Sequence, residues 1–234
     1  MASTTATTAP MVLHIGDQSF ASWSLRPWLA LKMGRIPFEE QKHRLLQPTT
    51  RAVLAKVSPS ARVPTLHVPA VHFAGAAVAA DAPPVVIWDS LAIMEFAAER
   101  APSLWPANAA ARAVARALCA EMHAGFAALR QHMCLDVLGS VPYAADKYPA
   151  EVHADIARIF AAWRDARQRF GAPSGQGPFL FGAFTNVDAM YAPVVMRFRT
   201  YNVPLPDDIR AYADAILALP AVHEWVEGAR REAA

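Results

Sequence analysis

The sequence predicts a two-part chain, a small mixed α/β layer followed by an all-helical half. Three observations carry that expectation. Short β-branched runs alternate with helical patterns up to about residue 100, strand signals then disappear, and prolines at 102 and 106 punctuate the change. A chain of 234 residues exceeds the usual single domain, so two smaller units fit its length.

The elements follow in order. MVLHI, residues 11–15, is a β-branched run and predicts the first strand. After the loop SFASWSLRPW, residues 19–28, Leu29 and Met33 recur at helical spacing until Gly34 stops the helix. Pro37 opens FEEQKHRLL as a second strand, and the intervening helix makes a parallel crossover the natural geometry. TTRAVLAKV, 49–57, reads as a short helix before Pro59, and VPTLHV, 63–68, as a third strand. PPVVIWDS is a fourth strand, joined to the third by a long Ala-rich connection over 69–84. SLAIMEFAAERA then places Leu91, Ile93, Met94 and Phe96 on a helix that ends near Pro102. The order βαβαββα, with two parallel strands and then an antiparallel hairpin, is the thioredoxin-like arrangement.

This reading gives a flexible tail over 1–10, an α/β domain over 11–100, and a helical domain over 108–234, with APSLWPAN as the linker near 98–108. In the helical half, 109–138 is nearly continuous helix former and 150–170 is amphipathic. Further helices are predicted over 187–201 and 208–219, with a short last one from Ala221.

Composition narrows the partners. Apolar residues make up 54% of the chain, which fits a packed globular protein rather than a disordered one. Lys plus Arg number 22 against 20 Asp plus Glu, with no basic cluster, so no nucleic-acid partner is implied. The absence of an apolar run of about eighteen residues predicts no membrane span. MASTTATTAP lacks the basic and apolar regions of a secretory signal, which leaves the cytoplasm as the expected location. Cys119 and Cys134 are separated by 14 intervening residues in a helical stretch without metal-ligand spacing, and both read as small core residues. The eight histidines show no paired spacing. His14 and His67 fall in strands and read as structural, so no metal is predicted.

Three short segments carry candidate chemistry. The hydroxyl-rich loop at 19–28 precedes a helix N-terminus, whose free N–H groups and partial positive charge suit an anion such as a thiolate. One serine is expected simply to cap the helix, and Ser24 fits that role with Pro27 in the first turn. RVPTL, 62–66, places Val63 before Pro64, where a cis bond would turn the Val63 backbone outward as a pairing edge for a peptide. WDSLAI, 88–93, sets Asp89 and Ser90 at a strand-to-helix junction. There the helix N-terminus suits a carboxylate and Asp89 suits an ammonium, although an N-cap alone also explains an aspartate.

With these motifs the chain resembles the glutathione S-transferase superfamily over almost all of its length after the tail. SFASWSLRPWLALK resembles the serine-type active-site loop of the theta-like and zeta-like branches and their bacterial relatives. RVPTL is similar to the cis-proline motif, and WDSLAI to the acidic-serine motif. FLFGAFTNVDAMYAP, 179–193, resembles the family's capping box, in which Thr185 caps a helix and Asp188 reaches back in a folding role.

The resemblance implies a glutathione transferase and homodimer, with glutathione as cosubstrate. By carry-over, Val63 pairs with the cysteinyl backbone beside Arg62 and Pro64, Asp89 and Ser90 hold the γ-glutamyl end, and a loop serine donates to the sulfur. Ser22, four residues before Arg26, is the first choice, with Ser19 and Ser24 as the other loop serines; the zeta-like pattern has a serine where this chain has Ala21. Lowering a thiol by two pKa units takes roughly 2.7 kcal/mol. A hydrogen bond to a charged group supplies roughly 1.5–3 kcal/mol and a helix terminus roughly 0.3–1 kcal/mol, so a hydroxyl at that end suffices without a general base. The missing loop cysteine argues against disulfide-exchange chemistry.

The second substrate is expected to be a small, mostly apolar electrophile. Phe20, Trp23, Met122, Phe126 and Met133 are candidates to line its pocket, with core packing the favoured reading of the last three. Two other functions stay open: a zeta-type glutathione-dependent cis–trans isomerase acting on a maleylacetoacetate-like substrate, and a non-catalytic binding module of the same fold.

Overall fold

The structure is a computed structural model that describes residues 9–73 and 82–234. Most of the tail expected over 1–10 and the middle of the 69–84 connection lie outside those residues.

Four strands form one sheet in the order β2-β1-β3-β4: β1 (Val12–Gly16), β2 (Glu39–His43), β3 (Thr65–Val68) and β4 (Val85–Ile87). β1 and β2 run parallel across α1 (Ser22–Met33), while β1–β3 and β3–β4 are antiparallel. The expected mixed sheet is therefore present. Its β2 edge reads EEQKH and is mostly exposed, and a charged edge discourages pairing with another chain. α2 (Thr50–Leu54) and α3 (Ser90–Arg100) complete this layer.

The helical half contains α4 (Ala109–Ala124), α5 (Ala127–His132), α6 (Ala150–Ala166), α7 (Ala172–Ser174), α8 (Asn186–Thr200), α9 (Asp207–Leu217) and α10 (Pro220–Ala233). A π-turn over Arg167–Gly171 joins α6 to α7. The stretch 109–138 is not one helix. Phe126 takes a left-handed φ of 56° just after Gly125, α5 starts afresh, and its Leu129 N–H donates to the Asp155 carboxylate at 2.9 Å. The last helix is longer than expected, because Val222, Trp225, Val226 and Ala229 form a buried stripe at helical spacing along it.

The two halves share one apolar core. α1 packs on α3 from its own half and on α8 and α10 from the other, and α8 also packs on α4. Trp28 of α1 meets Trp225 of α10 edge-on, with ring centroids 5.1 Å apart. Asn186 at the start of α8 donates to the Met94 carbonyl of α3 at 3.0 Å inside this seam. The linker is packed too: Leu104 and Trp105 are buried, and the Trp105 indole donates to Glu95 at 3.0 Å.

The start of α8 is closed by its capping box. Asp188 Oδ2 accepts from the Thr185 N–H at 2.8 Å and the Thr185 hydroxyl at 3.1 Å, and Oδ1 accepts from the Leu180 N–H at 3.2 Å. Burial pushes the Asp188 carboxyl up to about 6 in spite of these donors.

Cys119 is buried, as expected, and desolvation raises its thiol. Cys134 is exposed instead, because beyond α5 the chain alternates, with Met133, Leu135 and Val137 turned into the core and Cys134 turned out. Among the described residues no helix is long and apolar enough to cross a membrane, and no group of three or more His, Cys, Asp or Glu is placed to hold a metal.

Candidate functional site

A cleft of about 330 Å³ opens between the sheet end and α4. Trp23, Ser60, Arg62, Val63, Pro64, Trp88, Asp89, Ser90 and His123 line it. Two of the three segments singled out in the sequence thus meet at one place, with Trp23 representing the loop.

The floor comes from the turn before β3. The Val63–Pro64 peptide is cis, as expected. The Thr65 hydroxyl fixes this turn by donating to the Arg62 carbonyl at 3.0 Å and sharing a hydrogen bond with the Ser58 hydroxyl at 2.9 Å.

The wall comes from the start of α3. Asp89 is its N-cap, Oδ1 accepting from the Leu91 N–H at 3.0 Å and, more weakly, from Ala92 at 3.5 Å. Its side chain is 53% exposed, so the capping carboxylate still faces solvent. Oδ2 faces His123 Nε2 of α4 at 3.1 Å. Ser90 is fully buried, and among the described residues its hydroxyl has no partner. A buried, unpaired hydroxyl beside a helix N-terminus is a ready donor for an entering carboxylate.

The third segment, the serine loop, is built differently from the sequence expectation. α1 begins at Ser22 with Ala21 as its N-cap, because the Asp17 carbonyl accepts from the Phe20 and Ala21 N–H groups and closes the turn early. Ser24 is therefore not the cap. It lies in the first turn, fully buried, and its hydroxyl accepts from the Gly16 N–H at 3.2 Å, which ties the helix to the end of β1. Pro27 accordingly falls inside the helix rather than in its first turn. Among the described residues the Trp23 N–H has no backbone acceptor, which leaves a free donor at this end.

Ser22 is 5% exposed and is not among the cleft-lining residues. Its hydroxyl accepts from Arg197 Nη2 of α8 at 3.3 Å. Ser19 is also buried, and its carbonyl accepts from the Val137 N–H.

Arginines surround this corner. The Arg26 guanidinium lies 4.2 Å from the Trp23 ring centroid and that of Arg130 lies 5.7 Å away. Arg26 is fully buried, and among the described residues none of its three nitrogens has a partner. Burial, then the neighbouring Arg197 and Arg130 charges, bring it down to about 9. Arg197 is lowered to about 10, mainly by burial.

The other pocket candidates separate. Trp23 lines the cleft, Phe20 is exposed, and Met122, Phe126 and Met133 are core residues. A larger hollow of about 500 Å³ lies at α6, α7 and α9, lined by Trp163, Arg164, Arg167 and Tyr212 among others. It contains none of the segments singled out in the sequence.

Sequence reasoning passed over His123 and Arg197. Each had a faint signal. His123 stands four residues after the buried Cys119 on α4, and Arg197 stands four after Pro193 on an almost wholly buried helix.

The description "Glutathione S-transferase, N-terminal domain" matches residues 20–100, and "Glutathione S-transferase, C-terminal domain" matches residues 149–228. No curated protein matches the chain. Among solved structures, it is similar to a glutathione transferase homologue from Burkholderia with bound glutathione, at 21% identity and TM-score 0.63, covering 96% of this chain and 99% of that one. It is similar to a homologue from Lodderomyces elongisporus with two glutathione molecules per subunit, at 19% identity and TM-score 0.67, covering 94% and 98%. A third likeness is to an epsilon-class enzyme from the housefly, Musca domestica, at 19% identity and TM-score 0.63, covering 94% of each chain. With a four-stranded mixed sheet followed by an all-helical half, and family matches in both, the chain belongs to the glutathione S-transferase superfamily.

Proposed function

We propose that this protein is a glutathione transferase of the serine type, which binds glutathione in the cleft between β3 and α4 and stabilises its thiolate for attack on a small electrophile. The observation that carries the reading is the free hydroxyl of Ser90 beside the half-exposed Asp89 carboxylate, facing Arg62, Val63 and the cis Pro64 across one cleft. In this assignment Asp89 takes the glutathione ammonium, and the Ser90 hydroxyl with the α3 N-terminus takes the γ-glutamyl carboxylate. The Val63 backbone pairs with the cysteinyl unit, and Arg62 lies beside it as a cation for the glycyl end.

The sulfur then points toward the start of α1. Two donors serve it there, the free Trp23 N–H and the Ser22 hydroxyl. Arginine only donates, so the oxygen of Ser22 accepts from Arg197 and its own proton remains free for the thiolate. The glutathione sulfur is the nucleophile and no protein residue becomes covalently modified. The family resemblance alone extends the proposal to a homodimer that works in the cytoplasm.

Titrating glutathione into the protein at neutral pH while recording the ultraviolet difference spectrum tests this. Saturable thiolate absorbance is the expected result. Binding detected by calorimetry without thiolate points to a glutathione-holding module, and no binding overturns the assignment of the cleft.

A further inference from the structure

We infer that Arg197 is a positioning residue, which fixes the Ser22 hydroxyl as a one-way donor toward the glutathione sulfur; this rests on the reading of the cleft given above. The argument starts from the guanidinium, a planar fork of five donors with no acceptor. All three nitrogens of Arg197 are used. Nε donates to the Met133 carbonyl at 2.9 Å, Nη1 to the Pro193 carbonyl at 3.3 Å, and Nη2 to Ser22 Oγ at 3.3 Å. Two backbone carbonyls therefore anchor the fork, and the third branch crosses from the helical half to the first residue of α1.

Two consequences follow from that geometry. A hydroxyl can rotate to serve either as donor or as acceptor, and a lone serine would sample both. With Arg197 donating to one lone pair of its oxygen, the Ser22 proton is turned away from the guanidinium and toward an acceptor on the other side. A hydrogen-bonded donor is also polarised by the cation behind it, which strengthens what it gives to an anion.

Among the described residues the charge itself has no counter-ion. The groups that face Arg197 are Arg130 of α5, Cys134 beyond it and Tyr201 after α8, with Arg26 of α1 on the cleft side. Among the described residues no carboxylate lies within ion-pair distance of Arg197 or Arg26. Buried cations are normally paired with an acid. The fork is satisfied instead by two carbonyls and Ser22 Oγ, so its influence on a thiolate runs through that hydroxyl.

The test reads the thiol pKa of bound glutathione from thiolate absorbance as a function of pH. In Arg197→Gln the pKa rises by about one unit and kcat at neutral pH falls about tenfold, while glutathione affinity by calorimetry changes less than about twofold. In the Ser22→Ala background the same change moves the pKa by less than about a third of that, because Arg197 acts through the hydroxyl. Arg197→Lys keeps the buried charge but has no fork to span three acceptors, and it raises the pKa as Arg197→Gln does; this variant decides the matter if the glutamine protein does not fold. A wild-type pKa in Arg197→Lys, or an equal shift with and without Ser22, overturns the inference. If the wild-type protein gives no thiolate signal at all, the cleft assignment falls and Arg197 with it, whereas a wild-type signal untouched by Arg197 substitution removes the inference alone.

Discussion

Asp89 and His123 face each other across the seam between the two halves, Oδ2 to Nε2 at 3.1 Å, while the other oxygen of the same carboxylate caps α3. One side chain thus caps α3 with Oδ1, while Oδ2 is the oxygen proposed to meet the glutathione ammonium. Two substitutions separate them. Asp89→Asn retains a capping oxygen but removes the charge, so glutathione affinity falls about tenfold or more with little loss of stability. Asp89→Ala removes both, adding about 1 kcal/mol of lost capping, which thermal unfolding registers. Equal affinity in wild type and Asp89→Asn would take the ammonium site away from this residue.

Ser22→Ala should act on turnover. Removing the hydroxyl takes away roughly 1.5–3 kcal/mol of thiolate stabilisation, so kcat at neutral pH falls by about one to two orders of magnitude. Glutathione binding changes little, since the contacts proposed for the rest of the tripeptide lie with Val63, Asp89 and Ser90. Steady-state kinetics with a halogenated aromatic substrate reads the split. If Ser24→Ala produces that loss instead and Ser22→Ala does not, the thiol-activating hydroxyl has been misassigned.

The strand and helix order, the cis proline and the capping box were legible because each rests on local chemistry. A valine before proline, or Thr185 three residues before Asp188, announces itself within a few positions. Neighbouring hydroxyls were harder to tell apart. Ser22 and Ser24 are equivalent as sequence, and only the Asp17 carbonyl closing the preceding turn shows that α1 begins at Ser22. The break at Phe126 had a similar cause: a single Gly125 is a weak stop signal, and burial of the phenylalanine holds a backbone angle that propensity disfavours. Arg197 and His123 were illegible for a different reason. Their partners Ser22 and Asp89 stand 175 and 34 residues away, and only the packed seam brings them together.

Asp188 should be among the most costly single positions in the helical half. Asp188→Ala leaves the Leu180 and Thr185 N–H groups without acceptors inside the core, at about 2–4 kcal/mol, measured by denaturant unfolding. Its titration has a defined sign. The folded value of about 6 lies above the model-compound value of 3.8, so the folded protein keeps a proton that the unfolded chain releases. This contribution is present below the unfolded value and is lost as pH rises through the window from about 4 to about 6, on the order of 3 kcal/mol in all. Asp188→Asn removes that slope.

His14 works in the opposite direction. It lies in β1 with His43 and His67 on the flanking strands, its Nδ1 2.9 Å from His43 Nε2 and its ring centroid 4.4 Å from that of His67. Burial, then the two neighbouring imidazoles, lower it to about 4 from 6.5. Below 6.5 the unfolded chain takes up a proton that folded His14 refuses, so its contribution is complete above 6.5 and drains away as pH falls toward 4. The amount is on the order of 2 kcal/mol, reduced from the full linkage figure because His43 and His67 are partly open to solvent. The two halves share one core, so in a single unfolding transition the opposing slopes of His14 and Asp188 largely offset each other between about pH 4 and 6. His14→Phe keeps a ring in the stack and removes the titration, and it should leave a protein whose stability falls with rising pH across that window. Asp188→Asn should leave one whose stability rises. If the wild type and both variants have parallel stability profiles over this range, neither group titrates as its surroundings dictate.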